Sequence, residues 1–377
     1  MKEATRGIEY TTEPSLYLAF ELSKKKWKLG FSTGLGQHPR RRTIDAGDLP
    51  ALQQEIEVAK RRFGLSADSP VKSCYEAGRD GFWLHRYLLE REVENVVVDS
   101  SSIEVNRRAR RAKTDRIDVG KLLNMLLRYH NGEEKVWSVV HVPSIEAEDK
   151  RHLHRQLATL KVDRTRHIGR IKGLLATQGL NVPIHVGFLD TLEAARLWDG
   201  SPLPPGLRAR VEREYADLRY AERQIKELEA EREELIETSD DPCIEKVRQL
   251  MKLRAIGPNS AWLFVMEFFG WRQFRNRREV GGLAGLTPTP HQSGEESREQ
   301  GISKAGNCDV RAMAIEIAWC WLRYQPDSEL ALWFCEKFGH SKRTRKIGIV
   351  ALARKLLVAL WRYLETGEIP AGAQLKP

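Results

Sequence analysis

A chain of 377 residues and 43.2 kDa can hold two or three domains, each with its own core. Its 62 Lys and Arg outnumber its 52 Asp and Glu, for a net charge of +10 and a pI of about 9.3, which favours nucleic acid or another anionic partner. The sequence shows no signal-peptide pattern, no 18-residue apolar run and no C-x-x-C pair among its five scattered Cys. This argues against a membrane protein, a disulfide-stapled secreted domain and a zinc knuckle, and leaves the cytoplasm as the expected compartment.

Residues 1 to 14 are polar and expected to fray. Leu16 to Phe20 and Trp27 to Ser32 read as strands around a Lys24, Lys25, Lys26 turn, so Glu21 stands at the end of the first. Arg40 to Ile44 is a third strand, and Leu49 to Phe63 is a helix with Leu52, Ile56, Ala59 and Phe63 on one face. Ser73 to Glu76 is a short strand end, again finishing on an acid. A helix over FWLHRYLLE and a strand over Val93 to Val98 follow. This order describes a mixed α/β domain with carboxylates where strands finish, the edge at which ligands tend to sit in such sheets.

The block from Ser101 to His130 carries eight Lys or Arg, yet Asp115 and Asp118 stand three apart at the start of a helical pattern. That spacing puts both carboxylates on one face, where like charges cost about a few tenths of a kcal/mol and a divalent cation would reverse the sign. Arg107, Arg108, Arg110, Arg111 and Lys113 are suited to holding phosphates beside it, because guanidinium forks onto phosphate oxygens. Taken singly, each acid also has a plain reading, as a helix cap or a solvated turn residue. Jointly, Glu21, Glu76, Asp115 and Asp118 form an all-oxygen donor set of the kind Mg²⁺ or Mn²⁺ takes.

Glu146 to Ala176 is expected as one long helix, with seven Lys or Arg between Arg151 and Leu180 against one Asp. Arg155, Arg166, Arg170 and Lys172 are its candidate nucleic-acid contacts. Leu207 to Thr238 is a second long helix whose Val211, Leu218 and Ile225 repeat at seven. Its companion seam is broken by Glu214, which favours an antiparallel hairpin or a short coiled-coil dimer. LMKLRAIGPNSAWLFVMEFF reads as helix, tight turn, helix. Ser293, before Gly294 in a Gly- and Pro-containing passage read as a loop, lies near Arg298, Lys304 and Arg311, which suits a phosphate-facing segment. A serine hydroxyl becomes a nucleophile only when activated, and His291 two residues earlier is a candidate base. Arg311 to Tyr324, Leu330 to Phe338 and the basic stretch from Ser341 complete a helical region, and the end of the chain reads as a loose tail.

Several pieces occur in a telling order: FELSKKKW with Glu21, CYEAG with Glu76, KTDRID with Asp115 and Asp118, then LRAIGPNSA, GLAGLTP, QSG and ISKAGNCDVR. In this order they resemble the insertion-sequence transposases that join an Asp-Glu-Asp-Asp, Holliday-junction-resolvase-like domain to a serine-bearing transposase domain. The resemblance implies an α/β ribonuclease H-like domain over residues 1–140, a long helical and coiled-coil region over 141–240, and a mostly α-helical domain over 241–377. It implies catalytic carboxylates at Glu21, Glu76, Asp115 and Asp118, a nucleophile at Ser293, and Mg²⁺ as cofactor. Its implied partners are a structured guide (bridge) RNA, donor and target double-stranded DNA, and further protomers, a dimer assembling into a tetramer. One departure stands out: the first carboxylate of that pattern is ordinarily Asp, and here it is Glu21. A junction-resolving nuclease that does not use Ser293, or a nucleic-acid-binding protein without catalysis, would carry many of the same features.

Overall fold

The computed structural model describes residues 14–103, 115–293 and 296–377, and of 115–118, 134, 290–293 and 296–300 the backbone alone. The stretch before residue 14 and the basic residues Arg107, Arg108, Arg110, Arg111 and Lys113 lie outside the described residues. Two compact units divide the chain, Met1–Val142 and Pro143–Pro377.

In the first unit, β1 (Leu16–Leu22), β2 (Lys26–Ser32) and β3 (Arg40–Asp45) form an antiparallel meander. Helix α1 (Leu49–Arg62) leads to β4 (Val71–Glu76), and α2 (Trp83–Glu90) to β5 (Val93–Val98), both strands parallel to β1. The sheet order is β3-β2-β1-β4-β5. Strand β1 is apolar almost throughout because both its faces are covered. Leu16, Leu18 and Phe20 pack with Leu52 and Ala59 of α1 and Leu84 and Leu88 of α2. Ala19, Cys74 and Val98 meet Leu122, Leu123 and Leu126 of α3 (Asp115–His130). Burial pushes the Cys74 thiol well above its ordinary pKa, so it behaves as a small apolar core residue.

Helix α3 sits close on β2. Gly30, paired with Ala19, lies under Val119, whose Cγ1 would stand 2.5 Å from a Cβ at that position. Gly30→Ala is expected to cost about 1–3 kcal/mol by overpacking, read as a lower denaturant midpoint. An unchanged midpoint would show that the helix is not seated on the strand.

The second unit is helical. The single helix expected over Glu146 to Ala176 is two, α4 (Ile145–Asp149) and α5 (His152–Ala176). At the break Lys150 pairs with Asp241, and the Arg151 guanidinium stacks on Trp271 at 4.3 Å from the ring centroid. After the short α6 (Phe188–Ala194), α7 (Pro205–Thr238) returns along α5. The ion pair Lys161–Glu229 and the contact of His167 Nδ1 with Glu214, both at 2.7 Å, run in opposite senses along the two helices, so these form an antiparallel hairpin within the chain. Val211, Leu218 and Ile225 are buried in it. Glu214 interrupts the companion seam because His167 and Arg170 meet it there.

Helix α8 (Pro242–Met251) turns through Gly257 into α9 (Pro258–Phe264), which continues as a π-helical turn over Val265–Phe269. Next come α10 (Arg277–Leu283), the antiparallel strands β6 (Pro288–Ser293) and β7 (Glu296–Ile302), and helices α11 (Cys308–Tyr324), α12 (Glu329–Phe338) and α13 (Lys342–Thr366). The passage around Ser293 is therefore a β-hairpin rather than the expected loop. The end of the chain is docked, not loose: Lys376 N–H donates to Lys252 O at 2.7 Å. The buried Gln325 donates to the carbonyls of Arg254 and Gln374 and accepts from Gln374 N–H at 2.8 Å.

Candidate functional site

In the first unit the register of the parallel strands sets two carboxylates side by side. Ala19 pairs with Cys74 and Phe20 with Tyr75, so Glu21 and Glu76 each stand one residue further on, at the carboxyl ends of β1 and β4. Both continue the side of the sheet that Ala19 and Cys74 present to α3, since strand residues alternate faces. Glu76 is exposed and Glu21 half-buried. Around them, Ala77 N–H closes onto Val98 O at 2.8 Å, and the Tyr75 hydroxyl donates to Gly81 O at 3.0 Å.

The direction of α3 follows from three contacts. Its last residue, His130, lies against Tyr17 near the start of β1, with ring centroids 5.8 Å apart. The carbonyl of Leu122 accepts from Cys74 Sγ at 3.8 Å, and Val119 covers Gly30 beside Ala19. The helix thus runs against β1, and the backbone of its first turn, carrying Asp115 and Asp118, lies toward the end of the sheet where Glu21 and Glu76 finish. The four candidate residues, two at strand ends and two on the backbone of that first turn, are all carboxylates by sequence. That chemistry fits Mg²⁺ or Mn²⁺, hard ions that prefer oxygen, and not a thiolate- or imidazole-seeking metal. His167, Glu214 and Asp217 of the second unit also bring donor atoms within 4.8 Å of one another, though there Glu214 is already held by His167 and Arg170.

In the second unit Ser293 ends β6, paired with Glu296 across the two-residue connection, and His291 pairs with Arg298. The feet of this hairpin are drawn tightly together. Ser303 N–H donates to Thr287 O at 2.8 Å, Lys304 N–H to Gly285 O at 3.1 Å and Asn307 N–H to Leu283 O at 3.0 Å. A Cβ at Gly285 would lie 2.1 Å from Ala305 O, and one at Gly306 2.1 Å from Leu283 O. Both glycines also have positive φ, so this approach of two backbones excludes other side chains.

The candidate cations divide by role. Arg311 donates to Ala284 O at 3.3 Å and to Lys304 O at 3.1 Å, so its guanidinium joins the two feet of the hairpin. Arg166 pairs with Asp163 at 3.0 Å and Arg170 with Glu214 at 3.3 Å. Lys172 and Lys304 are exposed. Arg155 grips Glu267 with two nitrogens, at 2.7 and 3.0 Å.

Glu267 is the residue that pattern reading missed. It is 2% exposed, within the π-turn. Its Oε1 meets His154 Nε2 at 2.9 Å and Arg155 Nε at 2.7 Å; Oε2 accepts from Arg155 Nη2 at 3.0 Å and Asn307 Nδ2 at 3.3 Å. Burial alone would push its carboxyl up, but the hydrogen bonds and charges of His154 and Arg155 outweigh that and hold it down at about 2. Its sequence signal is a lone acid in the apolar run LFVMEFF; buried charges persist only when paired.

Comparison with known proteins bears on the same segments. Residues 247–331, which include the π-turn, the serine hairpin and α11, match the family described as Transposase IS116/IS110/IS902. The chain is 40% identical over 376 residues to the Sinorhizobium fredii protein named "Putative transposase y4rJ", covering 96% of this chain and 95% of that one. It is 26% identical over 220 residues to the Yersinia enterocolitica transposase for insertion sequence element IS1328, covering 58% of this chain and 63% of that protein. It is 25% identical over 228 residues to the Coxiella burnetii transposase for insertion sequence element IS1111A, covering 60% and 61% respectively. With near-complete coverage at that first identity, the chain belongs to the IS110/IS116 transposase family.

Proposed function

We propose that this protein is an RNA-guided DNA transposase that uses two chemical centres: a ribonuclease H-like domain binding Mg²⁺ through Glu21, Glu76, Asp115 and Asp118, and Ser293 as the nucleophile. The observation that carries the reading is the meeting of Glu21 and Glu76 at neighbouring strand ends, on the side and at the end of the sheet where α3 begins. The strand order β3-β2-β1-β4-β5, a meander followed by two parallel strands, supports the ribonuclease H-like assignment.

When bound, the metal ions would neutralise charge on the phosphodiester and orient its oxygens. Ser293 Oγ attacks phosphorus, the bond from phosphorus to the departing sugar oxygen breaks, and a phosphoserine linkage forms. The proton lost from the serine hydroxyl is balanced by the one the departing oxygen takes up. Rejoining is the reverse, with a sugar hydroxyl attacking and the serine leaving. Exposed Lys172 and Lys304, with the basic block before α3, hold nucleic-acid backbone, while base pairing to the guide RNA supplies sequence choice. The assembly brings several protomers together on donor and target DNA.

The test begins with the RNA that copurifies with the protein. The complex is incubated with DNA matching that RNA's loops, in Mg²⁺, and joined products are sequenced. Joints at matching sites are expected, and Glu76→Gln should lower the rate of strand cleavage by more than the roughly 10- to 100-fold that losing an outer-shell partner of a metal ligand costs. Cleavage that proceeds unchanged in excess chelator would sink the metal assignment. Binding with no cleavage at all would instead favour the nonenzymatic reading, which the Glu21 departure favours.

A further inference from the structure

We infer that Glu267 is a positioning residue for Ser293, acting through Asn307 to fix the foot of the β6–β7 hairpin against α5. This rests on Ser293 being the nucleophile proposed above. Glu267 accepts hydrogen bonds from two elements that nothing in the sequence connects. From α5 come His154 and Arg155; from the residue that caps α11 comes Asn307 Nδ2.

Asn307 has three tasks at once. Its Oδ1 caps α11 by accepting from Asp309 N–H at 2.9 Å and Val310 N–H at 3.0 Å. Its own N–H holds Leu283 O, at the end of α10 before β6. Its amide nitrogen donates to Glu267. Asn307 lies only a few residues beyond β7, and Lys304, between the two, has its φ at +56°, a backbone state that costs a non-Gly residue unless its surroundings impose it. Those surroundings are the bonds to Gly285 O and from Arg311.

The geometry of the foot therefore depends on where Asn307 stands, and Asn307 stands where Glu267 holds it. A buried carboxylate with its acceptor sites filled has little freedom to move. A nucleophile at the tip of a two-stranded hairpin needs such a fixed base, since a misplacement of about 1 Å at the reacting atoms can cost a hundredfold in rate. A two-stranded hairpin is marginal by itself.

The experiment uses the full-length protein with its copurified RNA and compares Asn307→Ser with wild type. Serine keeps a good cap for α11 but cannot reach Glu267 with an amide. Asn307→Ser is expected to slow single-turnover formation of the protein–DNA adduct about tenfold at unchanged half-saturating DNA. It should also speed hydrogen exchange of the Ser303 and Lys304 amides by a similar factor. The core variant Ile349→Val serves as control: it should lower the melting temperature while leaving rate and exchange as they are. Wild-type rate and exchange in Asn307→Ser would overturn the proposal, as would equal rate loss in Ile349→Val. An adduct that survives Ser293→Ala overturns the nucleophile reading instead, and the exchange measurement then still decides whether Glu267 fixes the hairpin foot.

Discussion

Replacing Ser293 by Ala is expected to remove the covalent protein–DNA adduct, with strand joining reduced by about 10⁴-fold or more, the scale seen when an enzyme loses its nucleophile. The fold should survive, because Ser293 ends β6 and its pairing with Glu296 is a backbone matter that alanine can share. RNA binding should be nearly unaltered, since the change removes no charge. The measurement is a denaturing gel of protein incubated with labelled DNA in Mg²⁺: on the proposed serine chemistry, wild type is expected to yield a band that migrates with the protein and disappears on proteolysis. An undiminished band in Ser293→Ala would place the nucleophile elsewhere. Loss of the band together with loss of RNA binding would mean that the substitution had disturbed more than one atom's chemistry.

The second large effect concerns stability. Glu267→Ala should destabilise the second unit by about 3–5 kcal/mol, the usual result of removing one partner from a buried charged cluster. His154 and Arg155 would lose their acceptor, and the Arg151 and Arg272 guanidiniums, both held below the usual arginine range chiefly by burial, would lose a nearby negative charge. The carboxyl stands near 2 in the folded protein against an ordinary 4.5, so the unfolded chain takes up a proton there before the folded one does. Its contribution is therefore complete above about pH 4.5 and is lost as pH falls toward 2, amounting to about 3 kcal/mol in all. Chemical denaturation at a series of pH values should show this loss in wild type and not in Glu267→Ala. Parallel curves for the two proteins would show that the carboxylate is not the group responsible.

The first unit was largely readable because its signals are local. The run VENVVV is a strand for its whole length, and the spacing of Leu52, Ile56 and Ala59 marks α1. Acidic residues at strand ends were visible as sequence, while their adjacency is a product of parallel pairing between β1 and β4, which no local pattern reports. In the second unit, β6 and β7 escaped because PTPHQS and ESREQGI offer no apolar alternation; pairing and close-packed glycines at the feet define them. The break between α4 and α5 depends on Asp241 and Trp271, each about a hundred residues or so from it in the chain, so helical periodicity runs through it unmarked. The docking of the tail is silent in the local pattern for the same reason, its anchor Gln325 being remote in sequence. Glu267 has no legible role in the sequence, because a single acid in an apolar run announces burial without naming its partners.

Helix α5 has a mechanical side. Its 25 residues make a rod about 38 Å long, stiffened along its length by the return of α7. Near one end, His154 and Arg155 are bolted to Glu267; near the other, Ile171 and Leu175 are packed under α6 and the start of α7. Because Glu267 in turn accepts from Asn307, one carboxylate is the shared anchor of this rod and of the foot of the β6–β7 hairpin.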